Sequence, residues 1–442
     1  PLSPLTTWAF PGSLARMRLS SSSWRVVGLA MAHTAAGAVA GFAAQGADWP
    51  DFRGPTWDGH AAGATAPLRW SEAENVKWKI AVHGRGWSTP VVDGGRAWLT
   101  TATETGEELS VLCIDVESGE VLRDFVLFEV AEPEHRNAVN SYASPSPVLD
   151  ADRVYVHFGT VGTACLDART GETLWLRRDL QCDHMEGPGS SPFLVDDLLV
   201  LNIDGGDVQY VVALAASTGE TVWRRERSVD LGDFLPDMRK AYSTPIAITI
   251  DGEDQLVSTG AQATFGYEPR TGKELWTVRH PGFSMASRPV FAADTLYLNT
   301  GFMRAQLWAV RPDGEGVFSG EHVLWKHRRG VPTMSSPLLA GDWIFFVSDG
   351  GIASCLDVAT GAERWRERLG AEHCASPILA GGRIYFCDRE GRTTVVAPSP
   401  EYEVLAVNEL DEGMMASPVV VDGDFILRTR TSLYRIGARE PE

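Results

Sequence analysis

What the sequence lacks narrows its function before any motif is considered. None of the six cysteines (113, 165, 182, 355, 374 and 387) stands at CxxC or zinc-type spacing, which excludes a cysteine metal cluster. Basic residues are outnumbered, 39 Lys and Arg against 58 Asp and Glu, and a net charge of −19 offers no footprint for gripping a phosphate backbone. A nucleic-acid partner is excluded on that ground. Beyond residue 47 no apolar run reaches the length of a membrane span, and residues 48–442 contain no GxSxG, HExxH or GxxxxGK[ST] pattern. Hydrolase and nucleotidase readings lose their support, and no pair of carboxylates stands out as an acid–base couple.

Acidic residues are also missing from the first 47 positions. From Met17 a short basic region (Arg18, Arg25) leads into an Ala/Gly/Val-rich stretch from Val26 to Phe42, and Ala43-Ala44-Gln45-Gly46-Ala47 supplies a small-residue cleavage site. The pattern predicts that residues 1–16 are upstream sequence foreign to the protein and that 17–47 are a cleaved signal peptide. The mature chain is then periplasmic or secreted. Export permits disulfides, but Cys113, Cys165 and Cys355 share one repeat position where a small buried side chain suffices, so free thiols are expected there.

What is present is turn-forming and aromatic: 44 Gly, 25 Pro and 15 Trp in a chain that is 44% hydrophobic, a composition that suits all-β repeats better than helical bundles. Ser-Pro, Thr-Pro or, once, Arg-Pro followed by an apolar residue recurs with prolines at 90, 147, 192, 245, 289, 337, 377 and 418. The spacings of 40 to 57 residues match one four-stranded propeller blade. The unit is clearest from Ser335 to Trp365: a short strand, a Gly/Asp turn, an alternating strand, a strand ending in Leu-Asp, a Thr-Gly turn, and a strand carrying Trp. Trp175, Trp223, Trp276 and Trp365 hold the last position, with Phe125 and Trp325 in weaker copies and Leu405 in the seventh. A wedge between neighbouring blades accounts for them without catalysis.

Both ends of the repeat look incomplete alone. Asn75 to Ile80 is an outer-strand sequence with no strands before it, and the C-terminal unit lacks its Trp strand. Joining them predicts an all-β, eight-bladed propeller of four-stranded antiparallel blades over residues 75–437, closed by an N-terminal outer strand completing the C-terminal blade. Residues 48–74, with Trp49, Phe52, Trp57 and Trp70 to bury, are expected to be an ordered extension, and 438–442 a tail.

At Leu166–Trp175 and Leu356–Trp365 the chain resembles the quinoprotein-like propellers, whose blades carry a tryptophan-docking motif. By WPDFRGP (49–55), GRGWSTPVV (84–92), NSYASPSPV (140–148) and RVYVHFGTVGTACLD (153–167) it is most similar to the exported PQQ-like repeat proteins of planctomycete-type bacteria. More distantly it resembles the propeller lipoprotein of the outer-membrane barrel-assembly machinery, which implies a protein-binding scaffold. The quinone-dependent dehydrogenases of the superfamily imply pyrroloquinoline quinone (PQQ), a calcium ion and an Asp base. This chain lacks the adjacent Cys-Cys pair of the alcohol enzymes and their insertions, so no cofactor is expected, and the quinoprotein dehydrogenase acting on an alcohol or sugar in the central channel is the alternative.

Inner strands surround a propeller's channel, so the residues just before each repeat proline should ring one mouth. They are Arg85, Trp87, Asn140, Tyr142, His184, Met185, Glu186, Lys240, Tyr242, Met285, Arg288, Met334, His373, Met414 and Met415. An aromatic, methionine-rich mouth suits adaptable contact with a protein, a peptide or an envelope component. The long loops Glu129–Asn140 and Ser228–Lys240 lead into it. Asp204-Gly205-Gly206-Asp207 reads as a hairpin or, less simply, a cation turn. His184, Met185, Met285, Met334 and His373 would make a soft-metal cluster only if they converged. No catalytic residue and no metal ligand is expected, and the propeller is expected to be monomeric.

Overall fold

A computed structural model describes residues 48–438 apart from 62, 64 and 151. The predicted upstream sequence and signal peptide (1–47) and residues 439–442 of the tail lie outside the described residues.

Eight four-stranded antiparallel blades form the ring. Blade 1 comprises Val91–Asp93, Arg96–Ala102, Glu108–Asp115 and Val121–Glu129, and blades 2 to 7 begin at Val148, Phe193, Ile246, Val290, Leu338 and Ile378. In blade 8, Val419–Val421, Asp424–Arg428 and Ser432–Ile436 are completed by Val76–Ala81, which pairs antiparallel with Ser432–Ile436. The first strand of the ring therefore closes the last sheet, as the strand count requires.

Position in a blade explains the residue pattern. Middle strands lie between neighbouring sheets, so Leu198–Asp204 is buried along its whole length. Outer strands face water on one side, and Thr221–Glu226 buries only Trp223. That tryptophan packs over Gly272 of the next blade and donates its indole N–H to Pro269 O at 2.8 Å. Trp175 packs over Gly219 and bonds Ala216 O, Trp325 over Gly361 and Val358 O, and Trp78 over Gly119 and Val116 O, all at 2.8–2.9 Å. These glycines have positive φ, and a Cβ on any of the four would meet the indole at 2.5–2.9 Å. Each such aromatic contributes about 2–3 kcal/mol by burial. Trp276 departs from the pattern and bonds Gln255 in its own blade.

A second seam encircles the channel. The residues preceding the repeat prolines are Thr89, Ser146, Ser191, Thr244, Arg288, Ser336, Ser376 and Ser417. The main-chain N–H at this position donates to the hydroxyl of the next blade's counterpart at 2.9–3.0 Å, from Thr89 round to Ser417 and back to Thr89. The circle breaks only between Thr244 and Arg288, where no hydroxyl exists. Arg288 is buried there instead and donates to Pro245 O and to the Asp51 carboxylate.

Asp51 belongs to the N-terminal extension, which does more than precede the ring. Trp49 exchanges main-chain hydrogen bonds with Val92, Pro50 O accepts from Leu149, and the buried Arg53 donates to Pro337 O and Pro377 O. His60–Ala61 then adds a parallel fifth strand inside blade 7, and Trp70 packs on Tyr385 and Phe425. A second parallel addition, Gly316–Val317 on Glu274–Arg279, comes from the long connection before blade 5's outer strand. Neither short strand was expected, because two residues carry no periodicity.

Among the described residues, no helix is long and apolar enough to cross a membrane. All six cysteines are free. Cys113, Cys165 and Cys355 sit buried in third strands, and burial pushes each thiol up to about 12.

Candidate functional site

The channel opens on the side where the inner strands begin into a cavity of about 610 Å³. Its floor carries the seven hydroxyls of the encircling seam together with Phe52 from the N-terminal extension. The wall and rim are aromatic and sulfur-bearing, from Trp87, Tyr242, Phe283, Phe302, Met334 and Met415. Both long loops reach it, through Asn137, Val139 and Asn140 and through Asp237 and Lys240.

Of the residues expected at the mouth, Trp87, Asn140, Glu186, Lys240, Tyr242, Met334 and Met415 line this cavity. Arg85 lines an adjoining recess of about 270 Å³, with its guanidinium 5.1 Å from the Trp87 ring and bonded to Glu104 at 2.7 Å. Tyr142 does not reach the cavity; its ring lies under Arg136 and its hydroxyl donates to Glu134 O. Met285 and Arg288, both in the loop before the inner strand Val290–Ala292, are fully buried. His184 is buried against the Cys182 sulfur at 3.5 Å, and burial pulls its imidazole down to about 4. His373 is buried with Nδ1 at 2.9 Å from Ala371 O, and burial lowers it as well.

The convergence that a soft-metal cluster would need is not seen. Its two histidines, His184 and His373, are buried before different blades, and Met334 instead receives the thiol of Cys374 at 3.6 Å. The Asp204–Asp207 turn is a hairpin. Asp204 is buried and held by Arg227 at 2.6 and 3.0 Å, and Asp207 accepts the N–H of Asp183. Among the described residues, no three His, Cys, Asp or Glu side chains are grouped to hold a metal ion.

The cavity lining carries two cations, Lys240 and Arg389, against four carboxylates, Glu186, Asp237, Asp349 and Glu372. Lys240 is buried against the Asp237 carboxylate, with Glu186 3.9 Å away. Arg389 lies against Glu372, and Asp349 accepts the N–H and hydroxyl of Thr333. At the recess, burial raises the Glu104 carboxyl, but hydrogen bonds from Arg85 and Arg136 outweigh it and hold the group below its ordinary value.

Several lining residues escaped the sequence reading. Phe302, Asp349, Cys374 and Arg389 lie on other loops, and Phe52 comes from the extension. The hydroxyl circle was visible as Ser or Thr before proline, yet its role needed the blades to be placed side by side.

A family model described as outer membrane protein assembly factor BamB matches residues 69–178, 159–320 and 305–411, together most of the chain. The chain belongs to this family of PQQ-like repeat propellers. No curated protein sequence matches it. Among solved structures it is similar to BamB from Moraxella catarrhalis, at 13% identity and a TM-score of 0.56 over 82% of this chain and 99% of that one. It is also similar to the quinohemoprotein alcohol dehydrogenase from Comamonas testosteroni, at 12% identity and a TM-score of 0.60 over 90% and 82%. A europium-containing methanol dehydrogenase matches at 13% identity and a TM-score of 0.51 over 88% and 89%. At such identities the likeness establishes the fold.

The PQQ-like repeat does not bring a fitting quinone site with it. A polyanionic quinone needs unspent cations, and Lys240 and Arg389 are both committed to carboxylates. Calcium needs six or more converging oxygens, several from carboxylates, and the cavity's four acidic residues are dispersed over the rim in ion pairs and hydrogen bonds.

Proposed function

We propose that this PQQ-like propeller is a non-enzymatic binding scaffold of the cell envelope, taking a protein, peptide or envelope component at the loop-rich mouth. The observation that carries the reading is the cavity of about 610 Å³, walled by aromatic and methionine side chains and reached by both long loops. Such a wall supplies contact area for an adaptable partner. Family membership and the likeness to BamB support a scaffold, and the export pattern of residues 17–47 supports a periplasmic or secreted location.

Photo-crosslinking in native envelopes tests this. A crosslinker at Phe302, half exposed at the rim, should trap a discrete partner that one at Leu174 on an outer strand does not. The reading fails if purified protein instead forms a tight complex with PQQ and calcium and then reduces dye with an alcohol or sugar.

A further inference from the structure

The cavity floor is made of hydroxyls that use one of their three hydrogen-bonding positions. Each of the seven seam hydroxyls accepts one main-chain N–H, and among the described residues none donates its own proton to a protein acceptor. Above them Lys240 and Arg389 pair with Asp237 and Glu372, while Asp349 accepts from Thr333 and Glu186 from Asn137. What remains is a circle of neutral O–H groups with Phe52 in the floor and Trp87, Phe283 and Phe302 in the wall.

A molecule that satisfies this surface needs oxygens around its edge, apolar faces and no negative charge, because the lining holds four carboxylates against two cations. A polypeptide C-terminus entering the cavity would bring a carboxylate to a lining that already holds four, Glu186, Asp237, Asp349 and Glu372, against the cations Lys240 and Arg389. A pyranose carries hydroxyls on its rim and C–H groups on its faces. From this geometry we propose that the cavity binds a neutral saccharide, with one pyranose held edge-on by the seven hydroxyls and further sugar extending towards the rim. The volume is ample for a small ligand of that kind. This inference rests on the reading of the mouth as a binding site and names the chemical class of its ligand.

The test is calorimetric titration of the purified protein with neutral gluco-, manno-, galacto- and N-acetylhexosamine oligosaccharides. At least one should bind with a Kd below about 1 mM. Gly350→Trp fills the cavity where a Cβ would meet nothing within 4 Å, so it should weaken binding at least about tenfold without shifting Tm. Thr244→Val removes one floor hydroxyl and should also weaken binding, whereas Thr244→Ser keeps the hydroxyl and should not. The proposal is overturned if none of the four classes binds, or if saccharide binding survives Gly350→Trp. If a crosslinked protein partner is lost in Gly350→Trp while no saccharide binds, the saccharide falls and the scaffold reading stands. Quinone-dependent dye reduction would overturn both.

Discussion

Arg288 donates to Asp51 at 2.6 Å across 237 residues of sequence, with both side chains buried. Arg288 stands where the other blades present a hydroxyl, so the one gap in the seam is also a point at which the extension is fastened. Removing the carboxylate leaves a buried guanidinium without its anion. Asp51→Asn should cost about 3–5 kcal/mol in urea unfolding. Pairing it with Arg288→Ser, which returns a hydroxyl to the seam, should give a double variant less destabilised than the sum of the two single changes.

The contacts between blades predict a second effect. Gly272→Ala places a Cβ 2.5 Å from the Trp223 indole at a φ of +65°, so steric strain and overpacking add. A loss of about 2 kcal/mol or more is expected from such a change. Trp223→Phe keeps most of the apolar area but gives up the bond to Pro269 O, and should cost about 1 kcal/mol by the same denaturation assay.

Acid should weaken the fold through its buried histidines. Burial pulls His157 down to about 3, and His184 and His280 down to about 4. The unfolded chain takes up protons on these residues near pH 6.5, before the folded state does. Stability is therefore full above that pH and falls as the pH drops towards the folded values, by up to about 1.4 kcal/mol per pH unit for each histidine. Urea midpoints measured from pH 7 to pH 4 should show the decline, and His280→Gln should make it shallower.

Thiol chemistry gives a fourth check. With all six cysteines free, five of them buried, and burial raising the thiols, a disulfide reagent at pH 8 should titrate almost none in the native protein and six after denaturation. Fewer than six would reveal a disulfide.

Blade number, strand order and ring closure were legible in the sequence because each is periodic or a matter of counting: eight repeat prolines, eight third strands, and one outer strand displaced to Asn75–Ile80. Depth at the channel was less legible. Met285 and Met334 occupy comparable repeat positions, yet one is fully buried and the other lines the cavity, because loop geometry decides which way each side chain turns. The extension was harder still. Nothing near Asp51, Phe52 or Arg53 announces partners at Arg288, Pro337 and Pro377, since tertiary contacts over such separations leave no local pattern.

The seam between Val76–Ala81 and Ser432–Ile436 also sets a schedule for folding. As the chain emerges from the ribosome, the strand Val76–Ala81 must wait with its hydrogen bonds unmatched until Ser432–Ile436 arrives. No nascent fragment ending before Ile436 can contain a complete circle, so this polypeptide commits to its final state only after nearly all of it is available.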